Sequence, residues 1–106
     1  MTFVSLDQKP VLEPVPGFRG RFVHGEGMSL AYWDIAAGAC LPEHHHPHEQ
    51  IVSVVTGQLE MTVGGETRVL DSGTSLVIPS NVPHGARAVT DCRVIDAFHP
   101  VRDEYR

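Results

Sequence analysis

The chain has 106 residues, of which 42% are hydrophobic and 20% charged, and its formal net charge is −5 at pH 7. This length suits one domain with one core, and the composition is ordinary for a globular protein. A single lysine and the lack of a basic run argue against nucleic acid and anionic membranes as partners. No apolar stretch approaches a membrane span and Met1 opens no signal peptide, so we expect a cytoplasmic protein.

The first segment, residues 1–17, contains Pro10, Pro14 and Pro16 among scattered apolar residues. Proline fixes φ and removes a backbone donor, so this segment is predicted to be an extended arm and not a helix. Arms of this kind often pack on a neighbouring chain. We assign residues 18–106 to a single barrel domain.

From Phe18 onward, β-branched and aromatic residues recur in short runs that are separated by glycines. This pattern is typical of an antiparallel sandwich or barrel, and no segment has the periodicity of a long amphipathic helix. The predicted strands are 20–24, 28–35, 40–46, 51–56, 58–63, 66–70, 75–78, 85–89 and 93–98.

Three glycine-containing turns separate these strands. Gly64 and Gly65 have the chemistry of a two-residue hairpin loop, Gly57 marks a tight change of direction, and residues 71–73 form a third turn. So many strands in a short chain normally close on themselves. The prediction is an all-β fold, a small jelly-roll barrel whose mouth can hold one ligand.

Cys40 and Cys92 each lie among apolar strand residues. A free cysteine in such a place usually behaves as a small buried hydrophobic residue. We therefore expect two buried cysteines without a disulfide between them.

Four of the seven histidines lie within residues 44–48. Neutral imidazole is the commonest protein ligand for several transition metals, so the cluster is a candidate metal site. On an extended strand, side chains two residues apart face the same way. His44 and His46 can therefore converge on one ion, while His45 points to the opposite face.

After Pro47, the apolar run 51–55 predicts the next strand, and Gln50 opens that strand. If the two strands are antiparallel neighbours, Gln50 Oε1 can reach the ion, whereas Glu49 faces away. The simpler alternative is a solvated histidine-rich loop that takes up nickel or zinc adventitiously.

Two motifs resemble those of the cupin superfamily. The first is Gly38-x5-His44-x-His46-x3-Gln50-x6-Gly57, and the second is Gly73-x5-Pro79-x-Asn81-x2-His84. Gln50 replaces the usual Glu, Asn81 replaces the usual Gly, and Ala88 replaces the usual Asn. Asn tolerates positive φ better than most residues, so the change at position 81 is mild.

The resemblance implies a jelly-roll barrel that binds one divalent transition metal ion per chain through His44, His46, Gln50 and His84. Zinc, nickel, manganese, iron, cobalt and copper all remain open. It also implies a homodimer that pairs through first strands and arms, which would make the N-terminal arm a swapped element.

The other histidines have weaker assignments. His45 is expected on the rim of the site, and His48 is expected to be a hydrogen-bond donor that supports a ligand and not a fifth ligand. His24 and His99 have no partner that the sequence identifies.

The ligand set favours one type of chemistry. Three imidazoles and one amide leave the metal with its full double positive charge, and such a Lewis acid polarises a carbonyl or enol oxygen. Non-haem iron oxygenases more often use a histidine and carboxylate set. Gln50 therefore favours isomerisation or tautomerisation.

The last predicted strand adds an acidic side chain, Asp96, and the segment after it adds a positively charged one, Arg102. Val94, Asp96 and Phe98 share one face, so burial is expected to raise the pKa of Asp96 and suit it to general acid–base catalysis. The planar fork of Arg102 suits a substrate carboxylate. In the alternative, Asp96 and Arg102 pair with each other and lock the C-terminus. On sequence alone, Phe98 is a core residue.

Residues 96–105, with the 44–50 run, also resemble the small cupins that ketonise unsaturated uronates released from pectin and alginate. This resemblance implies an isomerase or tautomerase that acts on a carboxylated sugar, with Asp96 and Arg102 as catalytic residues and Phe98 and Arg102 in contact with the substrate. A metal-dependent dioxygenase and a non-catalytic cupin that binds a small molecule are the alternatives.

Overall fold

The computed structural model describes all 106 residues and contains ten strands and two short 3-10 helices, Leu6–Gln8 and Asp103–Tyr105. No helix has the length and apolar character needed to cross a membrane. The strands are β1 Leu12–Val15, β2 Phe18–His24, β3 Ser29–Ile35, β4 Cys40–His44, β5 Glu49–Thr56, β6 Leu59–Val63, β7 Glu66–Leu70, β8 Ser75–Ile78, β9 His84–Ala88 and β10 Cys92–His99.

The strands form two antiparallel sheets that enclose one main core. One sheet has the order β1-β2-β3-β10-β5-β8, and the other has the order β4-β9-β6-β7. Buried residues alternate with more exposed ones along β5 and β10, as expected for strands with one face towards a core. Val52 and Val94 from the larger sheet meet Leu59 and Met61 from the smaller one in this core. The predicted all-β jelly roll is confirmed.

Each of the nine predicted strands has an observed counterpart: β7 and β8 have the predicted bounds, and the other seven differ at one end or both. The strand predicted for 40–46 ends at His44, because residues 45–48 turn around Pro47 before β5 begins. Strand β1 was not predicted and lies within the segment assigned to the arm. It pairs with β2, where Leu12 faces Gly20. Pro14 is tolerated there because β1 is an edge strand.

The glycine turns set the connections as predicted. The two-residue loop of Gly64 and Gly65 joins β6 to β7, and Val63 faces Glu66 across it. At Gly57 φ is +90° and a Cβ atom would lie 2.2 Å from the Asp91 carbonyl oxygen, so only glycine fits there. Asn81 has a φ of 63°, the left-handed conformation that asparagine tolerates better than most residues, so it can replace the usual glycine here.

The two cysteines are free, in agreement with the prediction that no disulfide forms. Cys92 is buried in the core, but Cys40 is exposed, so the prediction of a buried Cys40 is wrong. Cys40 opens β4, a strand without a single fully buried residue, and its side chain faces solvent.

Candidate metal centre

Three histidines converge at one end of the barrel, near the start of β9. His44 ends β4 and faces His84 of β9 in register, and His46 follows in the turn after β4. One ring nitrogen from each of the three lies within 4.8 Å of the others. The ring centroids of His44 and His84 are 4.4 Å apart, and those of His46 and His84 are 4.9 Å apart. The structure thus brings together two local residues and one that is distant in sequence.

Each of these rings is oriented by a hydrogen bond from Nδ1 to a backbone carbonyl. A carbonyl oxygen only accepts, so Nδ1 carries the proton and Nε2 keeps a free lone pair. This second bond is usual for histidines that bind metals. The carbonyls belong to Pro42 for His44 (3.0 Å), His48 for His46 (3.1 Å) and Val82 for His84 (2.9 Å).

The free lone pairs lack partners within the protein. Nε2 of His84 is buried and makes no hydrogen bond. Nε2 of His46 lies 3.2 Å from Gln50 Oε1, which is also an acceptor. Two acceptors at this distance repel each other unless a proton or a cation lies near both. These residues therefore fit a divalent metal ion.

The protonation of the histidines agrees with this fit. Burial lowers the pKa of His46 to about 4, and the charges of Arg102, His84 and His44 act in the same direction. Burial also lowers the pKa of His84. Both rings are therefore neutral near pH 7, which is the form that binds metals.

Gln50 links the histidines to an acidic group. It is the first inward-facing residue of β5 and is buried, and its amide nitrogen donates to Asp96 Oδ2 at 3.0 Å. Because a carboxylate accepts, the NH₂ group faces Asp96 and Oε1 faces the histidines. Glu49 is exposed on the opposite side of β5, as predicted from the alternation of side chains.

Asp96 is buried on the inward face of β10. Oδ2 accepts from Gln50 and also from Trp33 Nε1 at 3.2 Å, while Oδ1 is buried without a partner. Burial raises the pKa of Asp96 to about 7, although these hydrogen bonds and the charge of Arg102 oppose the rise. The indole fits because residue 20 is glycine: a Cβ atom there would lie 2.7 Å from the ring.

Arg102 lies after β10 and pairs with Glu104, not with Asp96. Its Nε and Nη2 are 2.6 and 2.5 Å from Glu104 Oε1. The guanidinium carbon lies 4.7 Å from the ring centre of Phe98 and 5.1 Å from that of Tyr105. Burial acts to raise the pKa of Glu104, but the hydrogen bond from Arg102, a backbone hydrogen bond and the positive charge of Arg102 together lower it. The alternative in which Asp96 and Arg102 pair does not occur.

A cavity of about 180 Å³ joins these groups. Its volume suits one small ligand, and most of its lining is apolar, which is common for small-molecule sites. The polar and aromatic residues that line it are Phe18, Trp33, His44, Gln50, His84, Asp96, Phe98, Arg102 and Tyr105.

The remaining histidines lie around this centre in different ways. His45 is exposed on the rim, and His99 is exposed at the end of β10. The ring of His48 does not support a ligand as expected: it lies 3.1 Å from the Val101 carbonyl oxygen, and the backbone carbonyl of His48 accepts from His46 instead. His24 contacts Ser29 and the Tyr105 carbonyl oxygen.

Sequence reasoning missed three residues of the site. Trp33 is 63 positions before Asp96, and no local pattern connects the two. Glu104 and Tyr105 belong to the tail that carries the family resemblance, but they received no role. A search for a polar partner of Arg102 near its own position would have found Glu104.

Comparison with known proteins identifies related chains. Residues 31–98 match the family model described as a cupin domain. The pectin degradation protein KdgF of Dickeya dadantii is 34% identical over 102 residues, which cover 93% of each chain. The structure of KdgF from a Halomonas species is 31% identical, with a TM-score of 0.92 over 100% of this chain and 99% of that one.

A further relative matches only part of each chain. The H2HPP isomerase of Bacillus subtilis is 53% identical over 53 residues. That stretch covers 49% of this chain and 22% of the isomerase. The similarity to this isomerase is therefore confined to about half of the chain.

Proposed function

The chain belongs to the cupin family, and from this premise we propose that it is a metal-dependent isomerase that ketonises 4,5-unsaturated uronates. The observation that carries the proposal is Asp96, whose buried Oδ1 has no partner and which lines the same cavity as His44 and His84 of the histidine cluster. The likeness to KdgF, a pectin degradation protein, supports a sugar acid as substrate.

In this proposal, Arg102 binds the carboxylate of the substrate. Its guanidinium lies at the cavity and rests against the rings of Phe98 and Tyr105, which orient its plane. A planar guanidinium recognises a carboxylate through parallel hydrogen bonds. Phe98 is buried at the same time, so it serves both as core and as support for the arginine.

Asp96 moves the proton. With a pKa of about 7, it is present in both protonation states near neutral pH, which suits a group that must accept and then donate a proton. Trp33 and Gln50 hold Oδ2, so Oδ1 is the oxygen free to exchange a proton with the substrate.

The reaction is an isomerisation in which no atoms are gained or lost. Oδ1 of Asp96 accepts the proton of the hemiacetal hydroxyl at C1, and the bond between C1 and the ring oxygen breaks. The electron pair of that bond stays on the oxygen attached to C5, which gives the linear aldehyde and an enolate. Asp96 then donates the proton to C4, and C5 becomes a ketone.

The donor set of the centre complements this step. A divalent metal held by His44, His46, His84 and Gln50 Oε1 would supply a Lewis acid that polarises a substrate oxygen. None of these four residues is anionic, so they do not reduce the charge available for that role. Several divalent transition metals suit such a set.

The test follows the ultraviolet absorbance of the conjugated double bond after a 4,5-unsaturated uronate is mixed with the protein. We expect the absorbance to fall with the wild type and to fall at least a hundredfold more slowly with Asp96→Asn or Arg102→Ala. Equal rates for all three proteins contradict the mechanism. Oxygen consumption would indicate a dioxygenase, and binding without turnover would indicate a binding protein.

We also propose that the protein is a homodimer to which residues 1–17 contribute as an arm. The side chains of Met1, Phe3 and Val4 are exposed, and a second copy would cover them. Light scattering of the full chain is expected to give twice the monomer mass. A monomer at micromolar concentration contradicts this part of the proposal.

A further inference from the structure

Two upstream residues that the proposed mechanism does not use are bonded to the segment that carries Arg102. Ser29, at the start of β3, is fully buried, and its Oγ accepts the backbone N–H of Arg102 at 3.0 Å. The same oxygen lies 2.8 Å from Nδ1 of His24, at the end of β2. Nε2 of His24 lies 3.0 Å from the Tyr105 carbonyl oxygen.

These contacts form one hydrogen-bond network in which each donor and acceptor can be assigned. The Tyr105 carbonyl can only accept, so Nε2 of His24 carries a proton. In the neutral ring, Nδ1 is then an acceptor and takes the hydroxyl proton of Ser29. The Ser29 oxygen in turn accepts from the Arg102 N–H. The hydrogen-bond network therefore holds residues 102 and 105, which lie at the two ends of the C-terminal turn.

This turn sets how the guanidinium of Arg102 faces the cavity. Glu104 occupies the edge formed by Nε and Nη2. Tyr105, which His24 holds, packs its ring on Phe22 with a centroid distance of 4.3 Å and also contacts the guanidinium. Nη1 makes no hydrogen bond within the protein and is not among the buried unpaired atoms. The remaining edge is therefore open to a ligand.

We propose that His24 and Ser29 are positioning residues for carboxylate recognition. They act through the backbone at positions 102 and 105, and they hold the turn so that Arg102 presents its free edge to the carboxylate of the substrate. This inference rests on the proposed function, because it assigns the carboxylate of that substrate to Arg102. Neither residue lines the cavity, so neither is a catalytic residue.

The kinetic test compares Ser29→Ala and His24→Phe with a matched control, Ser53→Ala. Ser53 also loses one side-chain hydrogen bond, at 2.7 Å to Ser75, but it lies on the outer side of the sheet. We expect the two test variants to raise KM for the unsaturated uronate about tenfold and to change kcat less than twofold. The uncharged methyl ester should react equally well with all variants.

A conservative variant provides a rescue. The amide nitrogen of His24→Gln can still donate to the Tyr105 carbonyl, so this variant should have a KM between those of the wild type and His24→Phe. Because His24 is only partly buried, its variants carry the test if Ser29→Ala does not fold. Equal losses for the acid and its ester would show a general structural effect and would overturn the inference.

A binding measurement separates this inference from the proposed function. Calorimetry with metal-free protein and galacturonate, a saturated uronate that cannot react, is expected to show binding by the wild type and about tenfold weaker binding by His24→Phe. This result supports the inference even if the unsaturated sugar is not turned over. Equal affinity of the two proteins, or of the wild type for galacturonate and its methyl ester, overturns it.

Discussion

Replacing Asp96 by Asn is expected to stabilise the metal-free protein at pH 8 and to leave its stability nearly unchanged at pH 4. Burial raises the pKa of this carboxyl from 3.8 to about 7. A shift of about three units corresponds to about 4 kcal/mol of free energy, which is the cost of keeping the charged form in the folded protein.

The direction of the effect follows from proton binding. Between pH 4 and pH 7 the folded wild type holds a proton on Asp96 that the unfolded chain has released. The free energy of unfolding contributed by this group is therefore greatest below pH 4, falls as pH rises to 7, and stays low above that. The amide introduced by Asp96→Asn carries no charge, and its oxygen can still accept from Trp33 and Gln50.

The measurement is urea unfolding of both proteins in chelator at pH 4 and pH 8. At pH 8 we expect Asp96→Asn to be more stable by as much as about 4 kcal/mol, and at pH 4 the two curves should nearly coincide. Asp7→Asn, at an exposed position, serves as the control and should show no pH-dependent gain. A variant that is less stable than wild type at pH 8 would refute the reasoning about Asp96.

Three further changes test other parts of the site. His84→Ala should abolish binding of one equivalent of metal to protein purified without a nickel column, measured by elemental analysis, whereas His45→Ala at the exposed rim should retain it; retention by both would contradict the proposed centre. Gly20→Ala should lower the free energy of unfolding by urea by about 1–3 kcal/mol, because the added Cβ would lie 2.7 Å from the Trp33 indole. A variant as stable as the wild type would show that the ring moves freely. Gln50→Glu should retain metal but ketonise more slowly than wild type, since a carboxylate at that position faces Asp96 without a hydrogen to donate; an unchanged rate would separate Gln50 from the acid.

Local sequence pattern accounts for much of the fold and for part of the site. Strand periodicity placed Val94, Asp96 and Phe98 on one inward face, and all three are buried. Glycine and proline marked the turns, because glycine allows positive φ and proline fixes φ, whatever their neighbours are. The same periodicity selected His44 and His46 over His45.

The short edge strand β1 and the exposed Cys40 were beyond local pattern. Pro14 disfavours a strand in isolation, but β1 forms because β2 offers a free edge for pairing. Cys40 has apolar neighbours, yet the side of the sheet that faces solvent depends on how the smaller sheet packs against the larger one.

The sequence by itself determined the alternation of the strands, the turns and the residue types that can hold a metal and move a proton. The tertiary structure decided which of them meet. Pairing of β4 with β9 places His84 opposite His44. Packing of the strands also brings Trp33 within hydrogen-bond distance of Asp96, and Arg102 forms its ion pair with Glu104 and not with Asp96. The reason is physical: periodicity depends on neighbours in the chain, whereas register and burial depend on how distant strands fill one core.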